Sequence, residues 1–356
     1  MLKKFLKTLG VFLLIALIFI ISLLAFLTIR EYSPEPQEAL EITGTPSKTL
    51  TEGDSLTLLT YNIGYGGLDK NHDFFMDGGE TVNVENKEII LNNIEGVKNL
   101  LLEENTDVIF IQEVDVEAKR SFGVNQVQYI NNLFSDDTES FATNFLCDYI
   151  PYPLPETIGK VHSGILTLSK FQSTSATRIA LPTSFTWPTR VAQLKRCLLV
   201  ERVPIEGSDK ELVLVNLHLE AYDDGSGKAA QSKILMDLLL EEYDKGNYVI
   251  AGGDFNQSFP DVDLSAYPLI NDEFFKAGIL DTSLLNSSWT LAADNSLPTA
   301  RLLNQIYDEA SDDNQYYVID GFILSPNLIL EEVKTLDQGF EYSDHNPVRL
   351  KVSLGE

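Results

Sequence analysis

The sequence predicts an α+β domain, a layered α/β sandwich built on hairpins, behind one membrane-spanning helix. About ten short runs rich in β-branched and aromatic residues have strand character, whereas only two or three long segments have helical periodicity. A doubly wound parallel sheet would place a helix between most strands, and this chain does not. Residues 54–356 contain no break of linker composition, which favours a single domain.

The first thirty residues predict a membrane anchor. Residues 8–29 form an uncharged, almost wholly apolar run of 22 residues, long enough to cross a bilayer as a helix. Lys3, Lys4 and Lys7 precede this run, and cationic flanks favour the cytoplasmic side, so the rest of the chain is expected outside the cytoplasm. A cleaved signal peptide is the alternative, but the run is long for one and no small-x-small cleavage site follows it. We favour an uncleaved, single-pass anchor over residues 1–30.

Residues 31–53 are expected to be an extracytoplasmic linker. They contain Pro34, Pro36 and Pro46 among many Glu, Ser and Thr residues, with little periodicity. Such a composition is typical of a spacer, so we expect it to hold the domain at 54–356 away from the membrane.

The charge of the chain argues against long nucleic acid as a partner. The net charge is −27, and since the first thirty residues carry four cations and no acid, the remainder carries −31. Affinity for a polyphosphate backbone comes from Lys and Arg side chains that replace counterions. A small local basic pocket stays compatible with this balance.

The predicted elements follow in chain order. Strands are expected at 55–62, 106–113, 162–169, 174–180, 196–203, 211–218, 248–256, 316–324, 329–336, 348–352 and in part of 141–155. Helices are expected at Lys87–Glu104, 229–245 and part of 116–134, where apolar residues recur every three or four positions. Segment 174–180 is expected to pair with 162–169, and 196–203 with 211–218. Cys147 and Cys197 could pair, although a buried thiol in a strand is slightly favoured for Cys197.

Polar side chains collect at the ends of these strands. In 248–256 an apolar run leads into two glycines, followed by Asp254 and Asn256. Residues i and i+2 of an extended strand point to the same side, so these two side chains would project together. An ordinary strand end with an Asp/Asn turn is the alternative. Other strand ends and turns carry Asn62, Glu113, Asn216, His218, Asp320, Asp344 and His345.

These side chains are of the types that bind a hard cation and activate a water molecule. Carboxylates and carboxamides without thiolates suit Mg²⁺ or Mn²⁺. Histidines beside carboxylates can orient a water or accept its proton, as in-line attack on a phosphorus ester requires. The sequence has no Gly-x-x-x-x-Gly-Lys-Ser/Thr loop and no Gly-x-Ser-x-Gly elbow, which disfavours nucleotide-driven work and serine hydrolysis.

Six segments, taken in order, resemble the endonuclease/exonuclease/phosphatase superfamily of DNase I-like nucleases, inositol-polyphosphate phosphatases and neutral sphingomyelinases. They are residues 60–62 (Thr-Tyr-Asn), 111–113 (Ile-Gln-Glu), 216–218 (Asn-Leu-His), 252–256 (Gly-Gly-Asp-Phe-Asn), 319–322 (Ile-Asp-Gly-Phe) and 343–345 (Ser-Asp-His). Each is weak alone, but six in order are specific. The resemblance spans 55–353 and implies a four-layer sandwich, two packed mixed β-sheets flanked by helices, with the site at one edge.

The resemblance also implies a role for each matching residue. Glu113 would ligate the cation, Mg²⁺ or Mn²⁺, with Asn62 beside it and Asp344 nearby. His218 and Asn256 would contact the scissile phosphate.

For the acid–base work, the resemblance implies that Asp254 orients the nucleophilic water or protonates the leaving group. It implies that His345, held by Asp320, is the general base or stabilises the phosphate.

Candidate substrate contacts are Asn216, His162 and Arg120. Arg120 belongs to one of three basic segments, 119–120, 160–162 and 195–196, which could form a small cationic rim for a phosphate. Solvated or charge-balancing side chains are the alternative. Three aromatic loops, at 74–79, 149–153 and 187–188, could meet a lipid headgroup or acyl region, or could be ordinary loop packing.

The expected function is that of a membrane-anchored, extracytoplasmic, Mg²⁺-dependent phosphoric-ester hydrolase. Phosphodiesters of small or lipid-linked molecules are favoured over duplex DNA. An extracellular nuclease of the same fold is one alternative, and a catalytically silent binding module is another.

Overall fold

A computed structural model describes residues 1–46, 48–223, 225–270 and 273–355. Its α-helices are α1 Leu2–Ile29, α2 Lys87–Glu104, α3 Gln126–Asn131 and α4 Ser226–Asp244. Its strands are β1 Gln37–Ala39, β2 Leu50–Thr51, β3 Ser55–Asn62, β4 Val108–Asp115, β5 Thr138–Ile150, β6 Gly159–Ser169, β7 Ser175–Ala180, β8 Cys197–Glu206, β9 Glu211–His218, β10 Tyr248–Asp254, β11 Thr290–Ala292, β12 Ala300–Arg301, β13 Tyr316–Tyr317, β14 Asp320–Leu324, β15 Leu328–Thr335 and β16 Val348–Leu354.

Most of the strands form two mixed sheets. The eight-stranded sheet has the order β1-β7-β8-β9-β10-β14-β11, with β2 attached to β8, and the six-stranded sheet has the order β15-β16-β3-β4-β6-β5. Their inner faces share one apolar core, which includes Leu58, Phe110, Leu214, Ile250 and Phe322. Side chains of α2 cover the outer face of the six-stranded sheet, and those of α4 cover the outer face of the eight-stranded sheet. The four-layer sandwich is therefore confirmed.

Helix α2 forms where the periodicity predicts it. The Asn86 side chain accepts hydrogen bonds from two backbone N–H groups of the first turn, and Asn105 ends the helix in a left-handed conformation. Ile90, Ile94 and Val97 pack with side chains of the six-stranded sheet. Both ends and the buried face thus follow from local sequence.

Two parallel strand pairs bring polar side chains to one edge of the sandwich. β3 pairs with β4, and β9 pairs with β10, so Asp254 lies opposite His218. β14 runs antiparallel to β10 and places Asp320 beside Asp254. Parallel strands end on the same side of a sheet, and Asn62 at the end of β3 therefore meets this group.

One predicted hairpin is wrong. β6 pairs with β4 and β5 in the six-stranded sheet, whereas β7 pairs with β1 and β8 in the eight-stranded sheet. Phe171, in the connection between them, is buried in the core shared by the two sheets. Strand periodicity identifies both segments but carries no information about which sheet each one joins. The β8–β9 hairpin, in contrast, is confirmed.

The segment 31–53, apart from Ser47, lies against the domain and is not a free spacer. β1 pairs with β7, β2 pairs with β8, and Leu50 is buried in the core between the sheets. Composition predicts a spacer here, but a segment without helical periodicity can also pair its N–H and C=O groups with a sheet edge. The structured unit thus begins before the predicted boundary at residue 54.

Helix α1 is long and apolar enough to cross a membrane, although a signal sequence would meet the same criteria of length and composition. Its 28 residues span about 42 Å at 1.5 Å per residue. Nearly all of its side chains are exposed, but Leu27, near its end, is buried.

Both cysteines are buried free thiols. Cys147 lies in β5 of the six-stranded sheet, and Cys197 lies in β8 of the eight-stranded sheet. Burial raises the pKa of both thiols. A buried thiol was the favoured interpretation of Cys197.

Candidate active site

His345 lies between two carboxylates at the edge described above. Its Nδ1 is 2.9 Å from Asp320 Oδ2, and its Nε2 is 3.8 Å from Asp254 Oδ2. All three side chains are buried. Burial lowers the pKa of the imidazole, but Asp320 and then Asp344 outweigh it, and the pKa of His345 is raised well above its ordinary value. Asp320 thus fixes the orientation of the ring and favours its charged form.

Asp254 is the hub of the group. Its Oδ1 accepts a hydrogen bond from the Asn256 backbone N–H (2.8 Å), and its Oδ2 accepts one from Asn62 Nδ2 (3.0 Å). His218 Nε2 lies 3.4 Å from the same Oδ2. Burial and the neighbouring Asp320 raise the pKa of Asp254 to about 7. A carboxyl group with a pKa near 7 can take up or release a proton near neutral pH.

The backbone before Asp254 requires glycine. Gly253 has φ +146°, and a Cβ at this position would lie 2.0 Å from the carbonyl oxygen of Leu217 on the adjacent strand. Asn256, just after the strand, has φ +51°, and its Nδ2 donates to the carbonyl of Leu219 at 2.9 Å. The close approach of β9 and β10 therefore places His218 against Asp254.

His218 is held in its neutral form. Burial, followed by the cations at Arg196 and His345, lowers its pKa well below the ordinary value. Arg196 Nη1 donates to the carbonyl of His218 at 3.2 Å. Within the described residues, His218 Nδ1 and Arg196 Nε are buried without a hydrogen-bond partner.

Glu113, Asn62 and Asp344 form the oxygen-rich side of the group. Asn62 Nδ2 donates to Glu113 Oε1 at 3.3 Å. Glu113 has φ +57° at a bulge of β4, where pairing with β6 is interrupted. Burial raises the pKa of Asp344 to about 6, with Glu113 among the causes. Glu113 is near enough to Asp344 to affect its pKa, and carboxylate oxygens are ligands that suit a hard cation such as Mg²⁺ or Mn²⁺.

A second set, Asp254, Asp320 and His345, has donor atoms that all lie within 4.8 Å of one another, close enough to hold an ion. We favour Glu113 and Asp344 for a hard cation because their donors are all oxygens, whereas the second set includes a histidine nitrogen. Asp320 holds His345 Nδ1 at 2.9 Å, so only Nε2 of that ring could serve as a ligand.

Asn216 lies between the sheets and does not reach this group. It is fully buried, and its Nδ2 donates to the carbonyl of Leu166 at 2.9 Å while its Oδ1 accepts from Gln112 Nε2 at 2.8 Å. The prediction that it contacts substrate is corrected. Asn216 and His218 do share a side of β9, but only His218 stands at the end of the strand.

His162 is also placed away from the cluster. Its Nε2 lies 3.1 Å from Thr143 Oγ1 on the adjacent strand β5, and its ring meets Phe141 edge-on. Burial lowers its pKa. The structure gives it a place within the six-stranded sheet, contrary to the predicted substrate contact.

Arg120 lies at the border of the site, but it is already paired. Its guanidinium donates to both carboxylate oxygens of Asp115 (2.9 and 3.2 Å) and stacks over the ring of Tyr65 at 3.7 Å. Burial lowers its pKa, but Asp115 outweighs this and the net pKa is raised. Arg120 therefore adds positive potential near Glu113 through a guanidinium whose Nε and Nη2 are already used on Asp115.

Sequence reasoning missed the residues that hold the surrounding loops. Tyr222 donates to Asp77 Oδ1 at 2.7 Å, and burial raises the pKa of Asp77 to about 6. Arg301 donates from Nη2 to two carbonyls of the 69–72 turn, and its backbone N–H donates to the carbonyl of Asp344. These residues come from loops without periodicity, and only the Asp-Gly-Gly sequence at 77–79 marked one of them.

Comparison with known proteins agrees with the fold. Residues 59–345 match the sequence model of the Endonuclease/Exonuclease/phosphatase family. No curated protein matches the sequence significantly.

Solved structures with the same architecture include an endonuclease/exonuclease/phosphatase from Beutenbergia cavernae DSM 12333, with a TM-score of 0.59 at 16% identity over 85% of this chain and 72% of that chain. A Bacteroides vulgatus endonuclease/exonuclease/phosphatase has a TM-score of 0.53 at 14% identity, over 85% of this chain and 99% of that chain. A humanized D. rerio TDP2 has a TM-score of 0.51 at 16% identity, over 84% and 99%. At these identities the similarity shows the fold alone.

Proposed function

The chain belongs to the endonuclease/exonuclease/phosphatase family of phosphoester hydrolases, and we propose that it is a membrane-anchored, divalent-cation-dependent hydrolase of small or lipid-linked phosphodiesters. The observation that carries the proposal is the convergence of Asn62, His218 and His345 on the Asp254 carboxylate. Four strands of the two sheets supply Asn62, His218, Asp254 and Asp320, and a loop supplies His345. A fifth strand, β4, supplies Glu113. Burying these polar and charged groups together costs stability, and such clusters are typical of functional sites.

Asp254 and His345 are the proposed acid–base residues. Asp254, with a pKa of about 7, can accept a proton from an attacking water or return one to the leaving group. Asp320 holds His345 through Nδ1 and leaves Nε2 facing the reacting side. The imidazolium can then donate a hydrogen bond to a phosphoryl oxygen.

A cationic donor beside the site suits an anionic substrate. Arg196 Nε has no hydrogen-bond partner within the described residues, although it lies 3.7 Å from Glu220 Oε2, and a buried donor without a hydrogen bond is costly. A phosphate oxygen could accept a hydrogen bond from it. Asn256 uses its amide nitrogen on the Leu219 carbonyl, and since the amide has two N–H groups, one stays for the substrate.

Glu113 and Asp344, with Asn62 beside them, are the proposed cation ligands. Mg²⁺ or Mn²⁺ held there would neutralise charge on the phosphoryl oxygens. The oxygen donors of these residues, and the mutual repulsion that helps to raise the pKa of Asp344, support this assignment.

We further propose that α1 stays attached as a membrane anchor, with the domain outside the cytoplasm. Leu27 is only 4% exposed and packs among Phe145, Val161 and Val191 of the domain. Removal of the helix by a peptidase would expose this apolar cluster to water. The lysines before the apolar run favour a cytoplasmic N-terminus.

The test is hydrolysis of bis-p-nitrophenyl phosphate by the full chain in detergent micelles, with and without Mg²⁺. We expect hydrolysis with the cation and loss of hydrolysis with EDTA. Faster cleavage of oligonucleotides at moderate salt than of lipid or small phosphodiesters would favour an extracellular nuclease. No hydrolysis of any phosphoester would favour a silent binding module.

A further inference from the structure

We propose that Tyr149, Tyr152, Leu154 and Trp187 form a lipid-binding surface that lies against the bilayer containing α1. This inference rests on the proposed anchor and goes beyond it, since an anchor alone does not bring the domain into contact with lipid. The occupant is the acyl and headgroup boundary of the outer leaflet. We call these four residues the aromatic surface.

The end of α1 is part of the domain. Leu23 and Leu27 pack into an apolar cluster with Ile150, Ile158 and Val191, which come from three different segments. Buried contacts of this kind fix the helix against the domain. The anchor therefore enters the membrane at a defined place on the protein surface.

Polar contacts to β5 and to residues 187–195 also hold the helix end. Trp187 Nε1 donates to Thr28 Oγ1 at 3.0 Å, and Arg30 pairs with Asp148 at 2.7 Å. Glu31 accepts from Arg190 and Lys195 at 2.9 and 2.8 Å, and the Glu31–Lys195 pair is largely buried. An exposed ion pair contributes little alone, but this network orients the domain relative to the helix.

The depth of these contacts places the domain at the bilayer surface. A hydrocarbon core of about 30 Å takes roughly 20 helical residues, which the apolar run between Lys7 and Arg30 supplies. Leu23 precedes Arg30 by seven residues, or roughly 10 Å at 1.5 Å per residue. Since the domain touches Leu23, part of the domain must reach the boundary between headgroups and acyl chains.

The residues exposed beside these contacts are those that favour that boundary. Tyr152, Leu154 and Trp187 are 62%, 80% and 54% exposed, and Tyr149 is 39% exposed. Tyr and Trp are enriched where membranes meet water. Three of the five residues in 151–155 are proline, which has no N–H group, so this loop has few backbone donors to remove from water.

The aromatic surface continues from the anchor to the mouth of the site. Ile158, in the same loop as Tyr152, packs with Leu27 in the anchor cluster. On its other side Tyr152 lies 5.7 Å, ring to ring, from Phe75. Phe75 is followed by Asp77, which binds Tyr222 beside the site. A lipid-linked phosphodiester could thus reach Asp254 while its acyl chains stay in the bilayer.

The contact is apolar and not electrostatic. Arg30, Arg190 and Lys195 lie beside the aromatic surface, but each is paired with a carboxylate. The chain outside the anchor carries −31, counted from the −27 of the full sequence and four cations in the first thirty residues, and would be repelled by anionic headgroups. Insertion is therefore expected into zwitterionic lipid and to be insensitive to salt.

The test measures tryptophan quenching in the full chain, reconstituted in phosphatidylcholine nanodiscs with or without bromine on the acyl chains. The sequence has two tryptophans, and Trp289 packs on Tyr243 in the core beneath α4. In a Trp289→Phe background, Trp187 emission is expected to fall about twofold with brominated lipid, as for a residue at the membrane interface.

Two further tryptophan reporters test positions on the aromatic surface other than Trp187. In a background with both tryptophans changed to phenylalanine, Tyr152→Trp and Leu154→Trp are expected to be quenched. Ile329→Trp is the matched control, because Ile329 is exposed on β15, at the opposite edge of the six-stranded sheet from β5. Quenching of the two reporters no stronger than that of the control would overturn the proposal.

The same preparations separate this inference from the proposed function. Loss of the chain from the discs would refute the anchor, and absence of hydrolysis of every phosphoester tested would refute the enzyme. A third outcome is distinct from both of these. If the chain stays in the discs and is active but the reporters at 152 and 154 are not quenched, the aromatic surface alone is refuted.

Discussion

Glu113, which we propose as a cation ligand, contributes little to the core. It lies at a bulge with φ +57°, a backbone conformation that residues other than glycine rarely adopt. Its side chain is only partly buried, and its hydrogen bond is to Asn62, another residue of the site. Strain of this kind persists where the surrounding structure holds it for a function.

Glu113→Gln is therefore expected to affect cation binding much more than folding. The half-saturating Mg²⁺ concentration for bis-p-nitrophenyl phosphate hydrolysis should rise about tenfold or more, while the melting temperature stays near that of the wild type. Glu117→Gln is the control, since Glu117 is an exposed carboxylate paired with Lys160. A steep fall in melting temperature with an unchanged Mg²⁺ titration would show that Glu113 is structural.

Glu201 is a buried acid that the site does not use. It lies in β8, fully buried, and accepts hydrogen bonds from Ser140 and Ser173. Burial raises its pKa from 4.5 to about 7. The folded chain then binds this proton more tightly than the unfolded chain, so stability falls as the pH rises from about 4.5 to about 7 and stays lower above it.

Glu201→Gln should remove this loss. At pH 8 the variant is expected to be more stable than the wild type by about 1–3 kcal/mol, and at pH 4 the two should be alike. Denaturant unfolding at both pH values measures the difference. Glu139, whose pKa is also raised to about 7 by burial, leaves a residual slope in the variant. Equal stability at pH 8 would mean that Glu201 is ionised without cost.

At the residue scale, the sequence predicted which types of side chain gather near Asp254 better than it predicted their individual contacts. The spacing of Asp254 and Asn256 suggested either a turn or a site, and the structure shows the turn together with a cluster of polar side chains. Asp254 Oδ1 accepts from the Asn256 backbone as in an Asx turn, while Oδ2 faces Asn62 and His218. Asn216 was misplaced because residue spacing fixes a direction but not the point where a strand leaves the core.

The β9–β10 pair is the element on which the site depends. β10 brings Asp254 level with His218 only because Gly253 lets the two backbones approach. The next residue back, Gly252, faces the ring of Phe322 on β14 at a distance that also leaves no room for a side chain. Two successive glycines thus serve two neighbouring strands.

Gly253→Ala is expected to lower stability by roughly 2–4 kcal/mol and to abolish hydrolysis, because the new methyl group would clash with the Leu217 carbonyl. Thermal melting and bis-p-nitrophenyl phosphate turnover measure the two effects. Gly207→Ala is the control for backbone strain alone, since Gly207 has φ +80° and open space around it. It should cost about 1 kcal/mol and keep activity. Similar effects of both changes would rule out the clash.

At the element scale, periodicity predicted the strands and long helices but not their partners. The faces of α2 and α4 follow from local sequence, as does the β8–β9 hairpin with its short connection. The assignment of β7 to the eight-stranded sheet depends on the core between the sheets, which no local pattern encodes. The pairing of β1 and β2 with the eight-stranded sheet was hidden by a composition typical of linkers.

For the whole molecule, the main difference from expectation is the position of the domain. The sequence predicted a domain held away from the membrane, whereas the structure fixes the last turns of α1 to the domain through Leu23 and Leu27. Acidic composition disfavours long nucleic acid, and the docking at the membrane that we propose would favour substrates found there. Substrate identity could not be predicted, because the loops around the site have no periodic pattern.

Leu27→Ala is expected to loosen this junction. Removing a buried leucine side chain costs about 2–4 kcal/mol, so the domain in micelles should melt at a lower temperature and residues 30–36 should become more sensitive to protease. Phe26→Ala is the matched control, because Phe26 lies in the same turn but is 47% exposed. Equal behaviour of the two variants would mean that the helix is not docked.

The most direct test of the account as a whole is the rate of Mg²⁺-dependent bis-p-nitrophenyl phosphate hydrolysis by Asp254→Ala and His345→Ala. The structure places these two side chains at the centre of the site, so each change should lower the rate about a thousandfold or more while the protein stays folded. Asp263→Ala, at an exposed helix cap, should keep the wild-type rate. Full activity in either site variant would contradict the proposed active site.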